Sequence, residues 1–170
     1  MKIFIDGSAG TTGLRIKDRL MKRSDVELIT LSEEQRKDTE SRKQALNSAQ
    51  VAFLCLPDAA AVEAVELVEN PDTVIIDTST AHRTSEGWAY GFPELSAEFE
   101  DKIKNSKRIA VPGCHAGGFI ALVYPLVEAG VLGNDALLSC YSLTGYSGGG
   151  KKMIAEYESE DKSPLLFAPR

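Results

Sequence analysis

Basic charge, paired cysteines and long apolar runs are all scarce in this chain. Its 170 residues carry 19 Lys and Arg against 25 Asp and Glu, a net charge of −6. A nucleic-acid binder shows a basic balance or a basic stripe; with neither here, nucleic acid is not expected as a partner. An anionic ligand must then be held by a local site and not by the overall field. The three cysteines, Cys55, Cys114 and Cys140, are odd in number, widely spaced and without a CxxC. That argues against a disulfide framework and against a zinc site, so no metal is expected. The longest weakly polar stretch, 116–127, is too short to span a bilayer and contains Pro125. The first residues run straight into a strand-like segment with no signal-peptide pattern. A cytoplasmic protein without a membrane partner is the expectation.

What is present is globular. Hydrophobic residues at 43% and charged residues at 26% exclude wholesale disorder. A chain of this length can bury a core without disulfide or metal. At roughly 150 residues per domain, it is one domain or slightly more.

Apolar runs predict strands over 2–6, 26–31, 50–56, 73–77 and 107–111, and a sixth apolar run covers 136–144. Helical patterns cover 14–22, part of 32–48, 59–69, 97–105, 118–129 and 151–159. Asp58 is placed to cap the helix over 59–69, with Val62, Val65 and Val68 as its core stripe. Pro125 should bend or interrupt the helix over 118–129. Residues 87–95, aromatic and turn-rich, read as a packed loop. Cys55 and Cys140, inside apolar runs, read as small core residues. Strands alternating with helices define an α/β fold with a Rossmann-like doubly wound, mostly parallel sheet. In such sheets ligands bind beyond the carboxyl ends of the strands. The segments with chemistry all fall there: Gly7 to Gly13, Pro57 with Asp58, Thr78 to Arg83, and Pro112 to Cys114.

Gly7, Ser8, Ala9, Gly10, Thr11, Thr12 and Gly13 form a shifted relative of the dinucleotide fingerprint, after a strand and opening a helix. Backbone without Cβ lets amides at a helix N-terminus approach a pyrophosphate. An ordinary tight turn is the competing explanation. The next strand ends at Leu31 and Ser32, with Arg36 and Lys37 close behind. A small residue plus cations suits a 2′-phosphate, so NADP is preferred to NAD, although Glu33 and Glu34 weigh against it.

Cys114 lies between a strand and a helix, flanked by Gly113, Gly117 and Gly118. A thiol at a helix N-terminus gains thiolate character, and the glycines open access, so Cys114 is the candidate nucleophile. His115 is disfavoured as its base because adjacent residues usually point apart. His82 reads as a loop hydrogen-bonder. Ser147, Gly148, Gly149, Gly150 and Lys151 form a second glycine-rich segment able to cradle a phosphate or pack on a nicotinamide through its amides. Arg83 and Lys151 are the best cations for an anionic substrate.

Taken together, five segments in order resemble the shorter variety of the N-acetyl-gamma-glutamyl-phosphate reductases. They are Gly7 to Gly13; Asp77-Thr78-Ser79-Thr80-Ala81-His82-Arg83; Tyr90 to Leu95; Pro112-Gly113-Cys114; and Gly145 to Met153. The chain departs from the family pattern at Val111, His115 and Gly117. The resemblance implies a dinucleotide-binding domain over 1–113, followed over 114–170 by the start of an α+β substrate and dimerisation domain. It implies that Cys114 attacks the acyl phosphate of N-acetyl-glutamyl phosphate, leaving a thioester that NADPH reduces to the semialdehyde. Ser79 would lie near the nicotinamide, Ser147 to Gly150 would line the cofactor and phosphate region, and Arg83 would contact the substrate anion. The family's general acid/base is a histidine of the later substrate domain, which nothing here matches. The expectation is the front part of a two-domain reductase, homo-oligomeric at full length. An NADP-binding domain without turnover is the alternative, and a cysteine acyltransferase or hydrolase a weaker third.

Overall fold

Lys2–Asp6 alternates nothing: after Lys2 every residue is buried, the mark of a strand covered on both faces. It is β1 of a sheet whose order is β2-β1-β3-β4-β6-β5. The other strands are β2 (Glu27–Ile29), β3 (Val51–Leu54), β4 (Val74–Asp77), β5 (Ala89–Tyr90) and β6 (Arg108–Ala110). Every pairing between neighbours is parallel. The computed structural model describes residues 1–145, 148, 154–156 and 158. They fall into two compact units, Met1–Cys140 and Tyr141–Arg170. The sheet belongs to the first; in the second, 154–156 and 158 are helical.

Register decides where chemistry can occur. Asp6 is level with Leu54, Leu54 with Asp77, and Asp77 with Ala110. The carboxyl ends of four strands therefore form one row. The ladder extends one residue further, with Cys55 N–H donating to Asp6 (2.8 Å), Thr78 to Leu54 (3.0 Å) and Val111 to Asp77 (2.8 Å). The chain leaves β1 toward β2 and returns past it to β3, so the strand order reverses between β1 and β3.

Among the described residues of this unit the helices are α1 (Thr11–Leu20), α2 (Thr39–Ser48), α3 (Asp58–Glu66), α4 (Ala97–Asn105) and α5 (Cys114–Glu128). The main core cluster joins Phe4, Ala52, Leu54 and Ile75 of the sheet to Ala45 and Leu46 of α2 and Ala61 and Ala64 of α3. Each fully buried Leu or Ile contributes about 1.5–3 kcal/mol. The alanines let both helices lie close to the strands.

Several expectations change. The buried face of this helical segment is centred on alanine: Ala61 and Ala64 are fully buried, Val65 and Val68 pack half-buried against the core as expected, and Val62 is exposed. The segment is apolar on nearly all sides, so periodicity could not choose its face. Pro57, not Asp58, is the N-cap, and the Asp58 carboxylate turns to Thr80 instead. Residues 87–95 contain the short strand β5 and a 3-10 turn, Pro93–Leu95, because Ala89 and Tyr90 pair with β6. α5 begins at Cys114 and runs through Pro125, whose missing N–H removes only one helical bond. The apolar run 136–144 forms no strand, and Leu137, Tyr141 and Leu143 are exposed. Cys140 is likewise exposed, so it is not a core residue. Cys55 remains half-buried.

Candidate functional site

The turn after β1 is pressed on both sides. Gly7 has φ +82°, and a Cβ there would run into the carbonyl oxygen of Cys55, the residue after β3. A Cβ on Gly13 would stand 2.5 Å from the Gly7 carbonyl oxygen. Gly10 is less confined, at 3.4 Å from that oxygen, and its N–H closes the turn onto it at 3.0 Å. α1 therefore starts hard against the strand ends, where β1 and β3 diverge. Its N-cap, Gly10, offers no side-chain acceptor, and its first turn, with Thr11 and Thr12, holds no acid. Uncapped amides at a positive helix end, with no Cβ in the way, suit the pyrophosphate of a dinucleotide.

Beside this turn lies a cleft of about 210 Å³, whose walls include Ser8, Ala9, Leu14, Lys17, Thr30 and Arg36. Arg36 is steadied by Ser32, whose carbonyl accepts from its N–H (3.0 Å) and its Nε (3.4 Å). Ser32 also exchanges hydrogen bonds with Gln35, closing the turn. Ser32 thus positions the cation, while Lys37 is exposed outside the cleft wall. Lys17 was missed from sequence; its i, i+3 spacing from Leu14 on α1 was the available signal. An adenosine carrying a 2′-phosphate matches a wall that is apolar on one side and cationic on the other.

Further along the row, the segment after β4 is held from three directions. Asp77, fully buried, accepts from Ser79 N–H (2.9 Å), Ser79 Oγ (2.6 Å) and His82 Nδ1 (2.6 Å). His82 is buried and stacks on Trp88, centroids 4.1 Å apart and planes 11° from parallel. Asp58 takes Thr80 through both carboxylate oxygens, at 2.9 Å from N–H and 2.5 Å from Oγ1. The Thr80 bonds hold the Asp58 carboxyl below its ordinary range. Ser79 and Asp58 accordingly shape the loop, and Pro57 caps α3 beside it. His82 is the loop hydrogen-bonder expected of it. Asp77 and Trp88 have no role assigned from the sequence, although Asp at a strand end with Ser two residues on is the pattern of an Asx turn.

Arg83 ends this loop and reaches β6. Its Nε donates to the Val111 carbonyl at 3.0 Å and its Nη2 to the Thr78 carbonyl at 3.4 Å. A Cβ on Gly113 would meet Arg83 Nη1 at 2.7 Å, so the guanidinium lies against the residue preceding Cys114. Cys114 is the first residue of α5 and exposed. Gly113 provides no side-chain cap, and the first turn of α5 has no acid. A cation, a positive helix end and an accessible thiol lie side by side there. Cys55 is the opposite case: burial pushes its thiol up to about 11.

Gly148 lies in the second unit, where its N–H bonds the Gly145 carbonyl at 2.8 Å. Ser147, Gly149, Gly150 and Lys151 lie outside the described residues. Among the described residues no group of three His, Cys, Asp or Glu converges to hold a metal ion. No helix among them is long and apolar enough to cross a membrane.

A parallel sheet with a glycine turn and an open helix N-terminus at its switch point is the architecture of a dinucleotide-binding domain. The family described as semialdehyde dehydrogenase, NAD binding domain, matches residues 2–105, and the chain belongs to it. It is 51% identical over 168 residues to an N-acetyl-gamma-glutamyl-phosphate reductase of a Chelativorans species, covering 99% of this chain and 54% of that protein. It is 49% identical to N-acetyl-gamma-glutamyl-phosphate reductase 2 of Pseudomonas putida, over 96% of this chain and 53% of that one. The chain thus spans about half the length of the curated relatives it matches. Aspartate semialdehyde dehydrogenase from Francisella tularensis shares the fold, with TM-score 0.64 and 16% identity over 96% of this chain and 52% of that one. The Candida albicans enzyme of the same name, solved with NADP, gives TM-score 0.52 and 18% identity, covering 75% of this chain and 46% of that one.

Proposed function

We propose that this chain is the cofactor-binding and nucleophile-bearing portion of an NADPH-dependent N-acetyl-gamma-glutamyl-phosphate reductase. Residues 1–113 form its dinucleotide-binding domain, and 114–170 begin its substrate domain. The full-length protein is a cytoplasmic homo-oligomer in this reading. The observation that carries it is Cys114: an exposed thiol heading α5, backed by Arg83, on the strand-end row that also carries the Gly7 turn.

The glycine turn and the α1 amides would hold the pyrophosphate, and Arg36 with Lys17 the 2′-phosphate. The Cys114 thiolate attacks the acyl carbon of N-acetyl-glutamyl phosphate. The bond from that carbon to the phosphate oxygen breaks, phosphate departs with the electron pair, and a thioester remains on Sγ. Arg83 and the first amides of α5 offset charge developing on the substrate oxygens. NADPH, when bound, would supply a hydride to the acyl carbon, and breaking of the carbon–Sγ bond would release the aldehyde and return the Cys114 sulfur. Gly150 and Lys151 are proposed as further substrate contacts, and Ser147, Gly148 and Gly149 as cofactor contacts. A second reading, NADP binding without turnover, draws support from His82, whose bond to Asp77 ties it into the loop and away from proton transfer.

Calorimetric titration with NADPH, beside mass detection of acyl-Cys114 after mixing with N-acetyl-glutamyl phosphate, tests the proposal. Dinucleotide binding plus a thioester absent from Cys114→Ser supports it. Binding without thioester favours the second reading, and no binding removes both.

A further inference from the structure

The pair Asp77 and His82 takes no part in the chemistry just described, yet it is the most deeply buried polar cluster on the site edge. Asp77 is fully buried and His82 is 8% exposed. The imidazole is held on two sides, by the Asp77 carboxylate at its edge and the Trp88 ring on its face. Trp88 in turn packs on the hydrophobic core. The next residue is Arg83, and its guanidinium is fastened to Val111, across the strand end, and stacked against Gly113.

From this connection we infer that His82 is a positioning residue: its hydrogen bond to Asp77 sets Arg83, and through Arg83 the cation beside Cys114. The inference deepens the proposed function and rests on Cys114 being its nucleophile. A long cationic side chain one peptide away from a thiol enhances it only if it stays there. Arg83 carries large rotamer freedom, which the loop must suppress. Backbone bonds to Val111 and Thr78 hold the guanidinium end. The His82 bond holds the Cα end, because His82 cannot rotate without leaving both Asp77 and Trp88.

The two contacts of His82 can be separated. Asn places an amide Nδ2 where the imidazole has Nδ1, so His82→Asn keeps a donor for Asp77 and discards the ring stack. His82→Phe keeps a ring on Trp88 and discards the donor. In the full chain, the rate of Cys114 alkylation by iodoacetamide is followed by peptide mass spectrometry. Exposed Cys140 is the internal reference, and half-buried Cys55 reports folding.

His82→Phe should slow Cys114 relative to Cys140 by about three-fold or more, with Cys55 still protected. His82→Asn should recover most of that loss. Arg83→Gln should slow Cys114 to the same extent, and adding His82→Phe to it should slow it no further. Wild-type reactivity in His82→Phe overturns the inference. So does an equal loss in both His82 variants, or a further loss in the double variant. If His82→Phe exposes Cys55, the comparison of His82→Asn with Arg83→Gln decides: reactivity in His82→Asn as low as in Arg83→Gln overturns the inference, and higher reactivity supports it. Alkylation needs neither cofactor nor acyl phosphate, so failure of the proposed function shows separately, as absence of NADPH binding or of acyl-Cys114.

Discussion

Gly7 lies so close to Cys55 that a single methyl at its Cα would collide with the Cys55 carbonyl oxygen. The contact joins the end of β1 to the end of β3 at the switch point of the sheet. It brings the glycine turn onto the same edge as the loop after β4 and the turn before α5.

Substituting Gly7→Ala should therefore destabilise the chain through both the positive φ and the collision. The conformational part alone is about 1–3 kcal/mol. Gly10→Ala, with ordinary space at 3.4 Å, should leave stability nearly unchanged. Urea unfolding of the two variants makes the comparison; equal midpoints would contradict the packing described.

Arg36 is expected to tell NADPH from NADH. Arg36→Ala should weaken NADPH binding by about ten-fold, the worth of roughly 1.4 kcal/mol in a charge-assisted contact. NADH binding should hardly change, and the loss should shrink as salt rises. Parallel titrations at two salt concentrations read this out. Equal losses for both dinucleotides would move the 2′-phosphate elsewhere.

Asp77→Ala leaves the Ser79 and His82 donors without their buried acceptor. A loss of about 3 kcal/mol is expected, as for breaking a buried charged cluster. The Trp88 fluorescence should change with it, since the imidazole stacked on the indole is released. Unfolding followed by that fluorescence measures both effects.

Alkali tests the burial of Cys55. Its thiol is raised from 9.0 to about 11 in the fold, chiefly by burial. The unfolded chain then loses its proton first, so the contribution is complete below about pH 9 and declines as pH rises toward 11. Cys55→Ala should flatten that part of the stability profile. Denaturant midpoints between neutral pH and pH 11 check this.

Much of the fold was legible because its signals are local. Short apolar runs ending in Gly, Pro or Asp marked β1, β3, β4 and β6 to within two residues at each end. The helix over 97–105 matched at both ends, since Ser96 caps it and Glu98 and Glu100 pair four residues on with Lys102 and Lys104. β5 was not legible. Two residues have no pattern of their own, and only the neighbouring β6 makes Ala89–Tyr90 a strand. The exposed run 136–144 misled for a related reason: hydrophobicity says that a segment prefers burial, not that a partner surface covers it.

For the candidate site, the amino-acid sequence alone determined the residue types and their places at strand ends: the glycines of the first turn, the cations after β2, the thiol after β6. Glycine, cation and thiol each carry an intrinsic property that survives without neighbours. Tertiary structure decided their assignments. It committed Asp58 to Thr80, bound Ser79 and His82 to Asp77, and pressed Arg83 against Gly113. Hydrogen-bonding side chains have several possible partners: Asp58 and Arg83 take theirs through parallel register, which brings residues 20 to 50 apart in sequence to one edge, whereas Ser79 and His82 reach Asp77 within one turn that folds into a buried place.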